Sequence, residues 1–304
     1  LSGSWSNSGT FTPGASGTIT FTGSGTHNLT NTSGETFTNL TSNTTGTIAF
    51  EAATDLTVTG TMTMTSGNFD LNSRTLTLGS GSVSTLSHTN GIVYNGNFTR
   101  YFPSAAISSS VAPKAGLFPV GSSSEYRPVE INSTVNPVTP GYLTAVHTDV
   151  AGVTDVSYAD SEPVTIERIG NMYTTLSSAT LAGGTYNLDV TMSDLGTGGN
   201  TSDLRLSTYT ASTMGEVGTT AAATGTVDNP TVKRTGLAVA DFANVFVVGT
   251  TDKATTPLQL VYYSIADGDW TNAGTWVTDG CGGVDAAASP PPSDAYVKIC
   301  GTTT

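Results

Sequence analysis

Apolar and polar residues alternate with a period of two through the first hundred positions of the chain. Ile19 and Phe21 are separated by threonines, and similar short runs recur at 36–41, 46–50, 56–60, 62–67, 68–71, 75–79 and 91–96. Gly, Asn or Ser ends most of these runs, and the runs recur too closely for long hairpins. The pattern favours a β-solenoid, or β-helix, over 1–100, with a short-stranded β-sandwich as the competing interpretation.

The pattern changes after Arg100, where prolines appear and the alternating runs lengthen. The longer runs lie at 125–132, 142–149, 163–170, 185–192, 203–210 and 244–251. Links rich in Pro, Gly and Asn separate them, which is typical of an antiparallel, immunoglobulin-like β-sandwich. We therefore predict an all-β chain with a solenoid at 1–100, a sandwich at 101–260 and a repeat-like strand segment at 261–304.

A short motif is written almost identically near both ends of the chain. The N-terminal tryptophan motif is SWSNSGTF at 4–11, and the C-terminal tryptophan motif is DWTNAGTW at 269–276. The two motifs hold all three tryptophans, and an alternating strand follows each one, GTITFTG at 17–23 and AYVKICG at 295–301. The segment 261–304 therefore resembles the start of a second module.

This duplication predicts a contact between modules. A solenoid leaves its terminal turn open unless a cap or a neighbour covers it. The C-terminal motif would open the next solenoid, either further along one polypeptide as a tandem stalk or on a second subunit, giving a head-to-tail filament. The residues expected at this contact are Trp5, Phe11, Trp270, Trp276, Tyr296, Val297 and Ile299.

Composition limits the partners of the chain. Only 11% of the residues are charged, yet the net charge is −13. Binding of nucleic acid or of an anionic membrane surface needs clustered Lys and Arg, so neither is expected. No apolar run approaches the length of a membrane span.

Cys281 and Cys300 are the only cysteines, and both lie in the C-terminal segment. In a Ser- and Thr-rich chain of secreted character, a disulfide between them is the first interpretation. Such a disulfide would add roughly 3 kcal/mol to the free energy of unfolding. Two free thiols are the alternative, and a metal site is less favoured because no histidine lies near.

The residue pattern gives little support for a metal site or a catalytic site. Asp267, Asp269 and Asn272 form a weak calcium candidate, because their oxygens are closely spaced but the distal Glu of an EF-hand is absent. The carboxylates at Asp149, Asp155, Asp160 and Glu162 are a second, equally weak one. The three histidines are far apart and no catalytic motif is present, so we predict a protein that is not an enzyme and needs no cofactor.

Two binding roles stay open. Tyr262, Tyr263, Trp270 and Trp276 offer aromatic surface on which the sugar rings of a surface glycan could stack, although matching tryptophans in two motifs favour a structural anchor. Thr-x-Thr pairs, such as Thr57/Thr59 and Thr61/Thr63, would order water if they were stacked in register, but threonine also suits any solvated strand.

The order of the segments resembles a known class of proteins. The W-x-N-x-G-x-F/W motif, the solenoid runs, GIVYNGNFTRYF at 91–102, LFPVGSSSEYRPVEI at 117–131 and YYSIADGDWTNAGTWVTDGCGG at 262–283 follow one another as in repetitive, adhesin-like cell-surface proteins of the Bacteroidetes exported by the type IX pathway. The resemblance covers essentially the whole chain. It implies an extracellular, β-rich protein of structural or adhesive function.

Overall fold

The fold was analysed in a computed structural model. It describes residues 1–298 apart from 32, 52–53, 151, 162, 194, 196, 211–212, 216, 259–260, 266–268, 278–286, 288–289 and 292–295. The chain is all-β, with an N-terminal β-solenoid of about four turns followed by antiparallel and mixed sheets, which confirms the predicted fold class.

Parallel strands stacked in two sheets form the solenoid. One sheet has the order β1-β3-β5-β7-β10, with β2 and β9 pairing at its side, and the other contains β4-β6-β8-β11. These strands are β1 (Trp5–Asn7), β2 (Thr18–Gly23), β3 (Thr26–Asn31), β4 (Glu35–Phe37), β5 (Asn39–Phe50), β6 (Leu56–Val58), β7 (Thr61–Asp70), β8 (Thr75–Leu78), β9 (Thr85–His88), β10 (Val93–Tyr94) and β11 (Asn97–Phe102).

The alternation predicts the inward face of the solenoid correctly. Leu40 pairs with Met62, and Met62 pairs with Leu86, so one buried column runs across three turns. Leu56 pairs with Leu76, so a turn takes 20 residues there, whereas Met62 and Leu86 are 24 residues apart. The Thr-x-Thr pairs fall on both sheets, because Thr57 stacks on Thr77 in one and Thr61 on Thr85 in the other.

Strand β11 joins the solenoid to the sandwich. It pairs in parallel with β8 and, on its other edge, antiparallel with β14 (Gly141–Thr148), so the hydrogen-bonded sheet continues through the boundary predicted at residue 100. Arg100 lies at this junction, next to Leu78 and almost completely buried. Its guanidinium donates to the carbonyl oxygens of Lys114 (2.6 Å), Leu117 (2.9 Å) and Ser84 (3.0 Å), and these bonds close the last turn of the solenoid.

Two sheets form the sandwich. The sheet that continues from β11 contains β14 to β16, β18, β19 and β22, and the facing sheet has the order β12-β13-β17-β21-β20. The remaining strands are β12 (Leu117–Phe118), β13 (Val129–Val135), β15 (Val153–Ala159), β16 (Thr165–Ala179), β17 (Thr185–Thr191), β18 (Leu204–Thr210), β19 (Thr213–Gly215), β20 (Thr219–Gly225), β21 (Pro230–Leu237) and β22 (Val245–Thr250). Two 3₁₀ helices, η1 (Thr201–Asp203) and η2 (Val239–Ala243), connect strands.

One hydrophobic core runs through both regions. Phe98 of the solenoid, Leu143 of one sandwich sheet and Ile131 of the other belong to the same buried cluster. The solenoid and the sandwich are therefore packed against each other through a shared apolar interior, and burial of this surface is the main stabilising term.

The C-terminal segment forms a small sheet of its own. It contains β23 (Val261–Ser264), β24 (Trp276–Val277) and β25 (Tyr296–Lys298) in the order β24-β23-β25, with the 3₁₀ helix η3 (Ala273–Thr275) before β24. Within the described ranges, no helix is long and apolar enough to cross a membrane.

Candidate assembly site

The N-terminal tryptophan motif is held by a buried carboxylate. Oε2 of Glu35, a residue only 5% exposed, accepts hydrogen bonds from Trp5 Nε1 (2.9 Å), Asn7 Nδ2 (3.0 Å) and Asn31 Nδ2 (2.9 Å). Strand β1 aligns the first two donors because Trp5 and Asn7 point to the same side of the strand. The spacing W-x-N thus places both donors on one acceptor.

Three aromatic rings pack around this polar centre. Trp5 contacts Phe11 and Phe37 edge to face at centroid distances of 5.0 and 5.2 Å, and Phe11 lies 5.9 Å from Phe37. Edge-to-face pairs at these distances are the geometry that aromatic quadrupoles prefer. Trp5 and Phe11 pack against the hydrophobic core at the first turn of the solenoid.

Two local contacts of the N-terminal motif recur in the C-terminal one, although Trp5–Asn7 is a strand and the equivalent residues 270–272 are not. Asn7 Oδ1 accepts from Gly9 N at 3.0 Å, and Asn272 Oδ1 accepts from Gly274 N at 3.0 Å. The rings of Trp270 and Trp276 meet edge to face at 5.0 Å, as the rings of Trp5 and Phe11 do. The same asparagine-closed turn and the same aromatic pair therefore form twice.

The surroundings of the two motifs differ. Trp276 is 3% exposed, but Trp270 is 46% exposed and donates its Nε1 hydrogen to the carbonyl of Pro291 at 3.2 Å. Within the described part of the chain, no carboxylate takes the place beside Trp270 that Glu35 takes beside Trp5. Among the described residues, the C-terminal motif has its own turn and ring pair but no turn of solenoid like the one that packs on the N-terminal motif.

The strands beside the motifs are complementary. Strand β25, which corresponds in sequence to β2, pairs in parallel with β23 and with no other described strand. Strand β2 has the following solenoid strand β5 as its partner. On its other edge β2 bonds only to Leu1, whose terminal amine donates to Thr20 O (2.6 Å) and whose carbonyl accepts from Thr22 N (2.8 Å).

The remaining predicted contact residues are placed only in part. Val297 is half-buried in β25, and Tyr296 pairs through its backbone with Val261. Ile299, Cys281 and Cys300 lie outside the described residues, so the contact of Ile299 and the disulfide stay predictions.

The calcium candidate is not assembled by the described residues. Asp267 lies outside them, while Asp269 Oδ1 accepts from Thr271 N at 3.0 Å and Asn272 is engaged by Gly274. The bond from Thr271 lowers the pKa of Asp269. The described residues contain no cluster of three His, Cys, Asp or Glu side chains suited to a metal ion.

The second acidic stretch is divided among four ion pairs. Asp149 pairs with Arg127 (2.8 Å), Asp155 with Arg168 and Lys253, and Asp160 with the buried Arg234 (2.8 Å). Glu162 lies outside the described residues. These three carboxylates therefore serve separate cations of the protein itself and do not converge on one site.

Sequence reasoning missed the role of Glu35. No sequence motif singles out Glu35, although its position carries a signal: its side chain faces inward like that of Phe37, and it pairs with the buried Leu56 of the next turn. An acid in an inward column must find hydrogen-bond donors, because an unpaired buried charge is costly. Asn31 and Phe37, which complete the site, carry no distinguishing signal.

No family model, curated protein or solved structure matches this chain.

Proposed function

We propose that the protein is a non-enzymatic structural module of an extended extracellular surface assembly. Its C-terminal segment opens the solenoid of the next copy, either within one polypeptide as a tandem stalk or on a neighbouring subunit as a filament. The observation that carries this proposal is the duplicated tryptophan motif: Trp5 is bonded to the buried Glu35 of the solenoid, whereas Trp270 is 46% exposed.

The complementary strands support the same arrangement. If a solenoid followed β25, the next turn would supply a strand equivalent to β5 and a carboxylate equivalent to Glu35. Trp270 Nε1 and Asn272 Nδ2 would then find the partner that Trp5 and Asn7 have. Trp270 Nε1 would exchange its bond to Pro291 O for one to this carboxylate. Burying the indole ring is favourable, since burial of a large apolar side chain contributes about 1.5–3 kcal/mol.

The proposed location outside the cell rests on the composition and on the resemblance to repetitive surface proteins. A disulfide between Cys281 and Cys300 would suit that location, because it would stiffen a small segment that has little core of its own.

A tandem chimera tests the proposal. Gly301 corresponds to Gly23, so residues 1–301 are joined to a second copy of residues 24–304. Phe, the residue at position 11 of the N-terminal motif, replaces Trp5, Trp276 of both copies and Trp270 of the second copy. The only tryptophan left to emit is then Trp270 of the first copy, which lies at the junction. We expect its emission to shift to the blue and its acrylamide quenching to fall relative to the single chain with Trp5→Phe and Trp276→Phe.

The matched control is the same chimera with Glu35→Ala in the second copy. Because this change removes the acceptor proposed for Trp270 and Asn272, the junction Trp270 should become more accessible to quencher again. A junction Trp270 as exposed in the chimera as in the single chain would overturn the proposal.

A further inference from the structure

The outward face of one solenoid sheet carries hydroxyl groups in two columns, which we call the hydroxyl array. Strands β2, β5, β7 and β9 lie side by side in parallel, and alternate residues of each strand point away from the core. The first column contains Thr18, Asn39, Thr61 and Thr85, and the second contains Thr20, Thr41, Thr63 and Ser87.

The second column is continuous across all four strands. Thr20 pairs with Thr41, Thr41 pairs with Thr63, and Thr63 pairs with Ser87. The register does not shift at any of these pairs, so each hydroxyl group lies beside the next one. The turns of the solenoid therefore stack a single row of hydroxyls over four successive strands.

The first column follows the same register with one interruption. Thr18 pairs with Asn39, and Thr61 pairs with Thr85. The amide of Asn39 bridges the backbones on both sides, because its Oδ1 accepts from Thr61 N at 2.9 Å and its Nδ2 donates to Gly17 O at 3.3 Å. Asn39 thus joins neighbouring strands, while the threonines of the column supply the hydroxyls.

The hydroxyls of the array are open to solvent and firmly supported from behind. The inward residues between them, such as Leu40 and Met62, are completely buried in the core. Within the described part of the chain, the hydroxyls of Thr20, Thr41 and Thr63 have no hydrogen-bond partner. Because the side chain of threonine is stiff at χ1, its hydroxyl and methyl groups are held near fixed positions.

The spacing of the array matches a crystal of water. Hydroxyls of one column are separated by the distance between strands, about 4.8 Å, and the two columns by two residues along a strand, about 6.6 Å. Both spacings are close to the repeat distances of water oxygens on the prism face of hexagonal ice. Water molecules that bond to the array are therefore held in an arrangement similar to that of ice.

We propose that the hydroxyl array binds the surface of an ice crystal. An uncharged, periodic partner suits it, because neither column contains a charged residue although the net charge of the chain is −13. The array also contains no aromatic ring on which a sugar would stack and no basic side chain for a phosphate. This inference goes beyond the structural role and does not depend on it.

The test grows single ice crystals in a solution of the full chain in a nanolitre osmometer. We expect faceted crystals whose growth stops over a measurable temperature gap below the melting point, whereas serum albumin at the same concentration should give round discs. Thr41→Lys and Thr63→Lys each place a long, charged side chain in the middle of the array. Each should reduce the temperature gap several-fold, and circular dichroism shows whether each variant is folded.

Thr57→Lys is the matched control. It makes the same substitution on the outward face of the other solenoid sheet, where the half-buried Thr57 stacks on Thr77. This variant should keep the temperature gap of the original chain.

Three results would overturn the proposal: round crystals with the original chain, a gap unchanged in either Thr41→Lys or Thr63→Lys, or an equal loss in Thr57→Lys. If an array variant does not fold, Ser87→Lys, at an exposed position of the same column, takes its place.

Discussion

At the scale of single residues, hydrogen-bond partners decide which polar groups can be buried. The carboxylate of Glu35 is tolerated inside the solenoid because one oxygen receives three donors, and Arg100 is tolerated because its guanidinium donates to several carbonyls. Burial still lowers the pKa of Arg100, to about 9. Most buried polar atoms have such partners. Arg100 Nε and His147 Nδ1 are exceptions, since neither has a hydrogen-bond partner in the described structure.

The low pKa of His147 predicts a pH dependence of stability. Burial, and next the positive charge of Arg127, lower the pKa of the folded ring to about 4, although Asp149 opposes the shift. The unfolded ring titrates near its ordinary pKa of 6.5. The free energy of unfolding is therefore highest above pH 6.5 and falls as the pH drops toward 4. The loss is about 3 kcal/mol, since a difference of one pKa unit is worth about 1.4 kcal/mol. Urea denaturation of the original chain and of His147→Phe at several pH values measures the effect.

The two chains should differ in a defined way. His147→Phe cannot protonate at this position, so its free energy of unfolding should fall less between pH 6.5 and 4 than that of the original chain. His88, whose pKa is also lowered by burial, is present in both and cancels in the comparison. Equal slopes would contradict the low pKa of His147.

At the scale of secondary-structure elements, a column of glycines fixes one corner of the solenoid. Its members are Gly25, Gly46, Gly67 and Gly91. A Cβ added to Gly46 would lie 1.7 Å from the carbonyl oxygen of Gly25, and one added to Gly91 would lie 2.3 Å from that of Gly67. Successive turns approach too closely here for any side chain. The first three members are 21 residues apart, a period that the hydrophobic alternation alone does not reveal.

The close approach predicts that Gly46→Ala destabilises the solenoid. The added methyl group would push β5 away from the turn before β3, and overpacking of this kind costs about 1–3 kcal/mol. Gly14→Ala is the matched control, because a Cβ there has no atom within 4 Å. Thermal unfolding followed by circular dichroism should show a lower Tm for Gly46→Ala and little change for Gly14→Ala. Equal Tm values would show that the corner can relax.

At the scale of the whole molecule, one continuous core joins the solenoid to the sandwich. Leu1 is 48% exposed beside the first solenoid strand, and Trp270 is 46% exposed at the other end. Between them, the sheet that passes through β11 makes the solenoid and the sandwich one packed unit. An elongated assembly of such units needs only the contact between the ends.

The filament form of the proposal predicts self-association that depends on salt. With a net charge of −13, copies repel one another at low ionic strength, and screening to a Debye length of about 8 Å near 0.15 M removes most of that repulsion. Analytical ultracentrifugation should show polymers that grow with protein and salt concentration. A chain lacking residues 265–304 should stay folded and monomeric. A full chain that stays monomeric at high protein and salt concentration would contradict the filament form of the proposal. The tandem-stalk form would then remain.

The fold was predictable to the level of its regions, and the sites were predictable only in part. Trp5, Phe11, Trp270 and Trp276 were found because a motif written twice is visible without a structure. The hydroxyl array was visible only as separate Thr-x-Thr pairs, since the register that stacks Thr41, Thr63 and Ser87 depends on the length of each turn.

The sequence by itself determined the local character of the chain: which residues alternate inward, where turns interrupt the strands, and that one motif opens two segments. These properties depend on the pleat of a strand and on turn chemistry, which act over a few residues. Only the tertiary structure decided the pairing of Glu35 with Trp5, the register of the turns and the stacking of Thr41 on Thr63. Those contacts join residues 20 or more positions apart. Their register depends on the number of residues in each turn of the solenoid, which varies from 20 to 24.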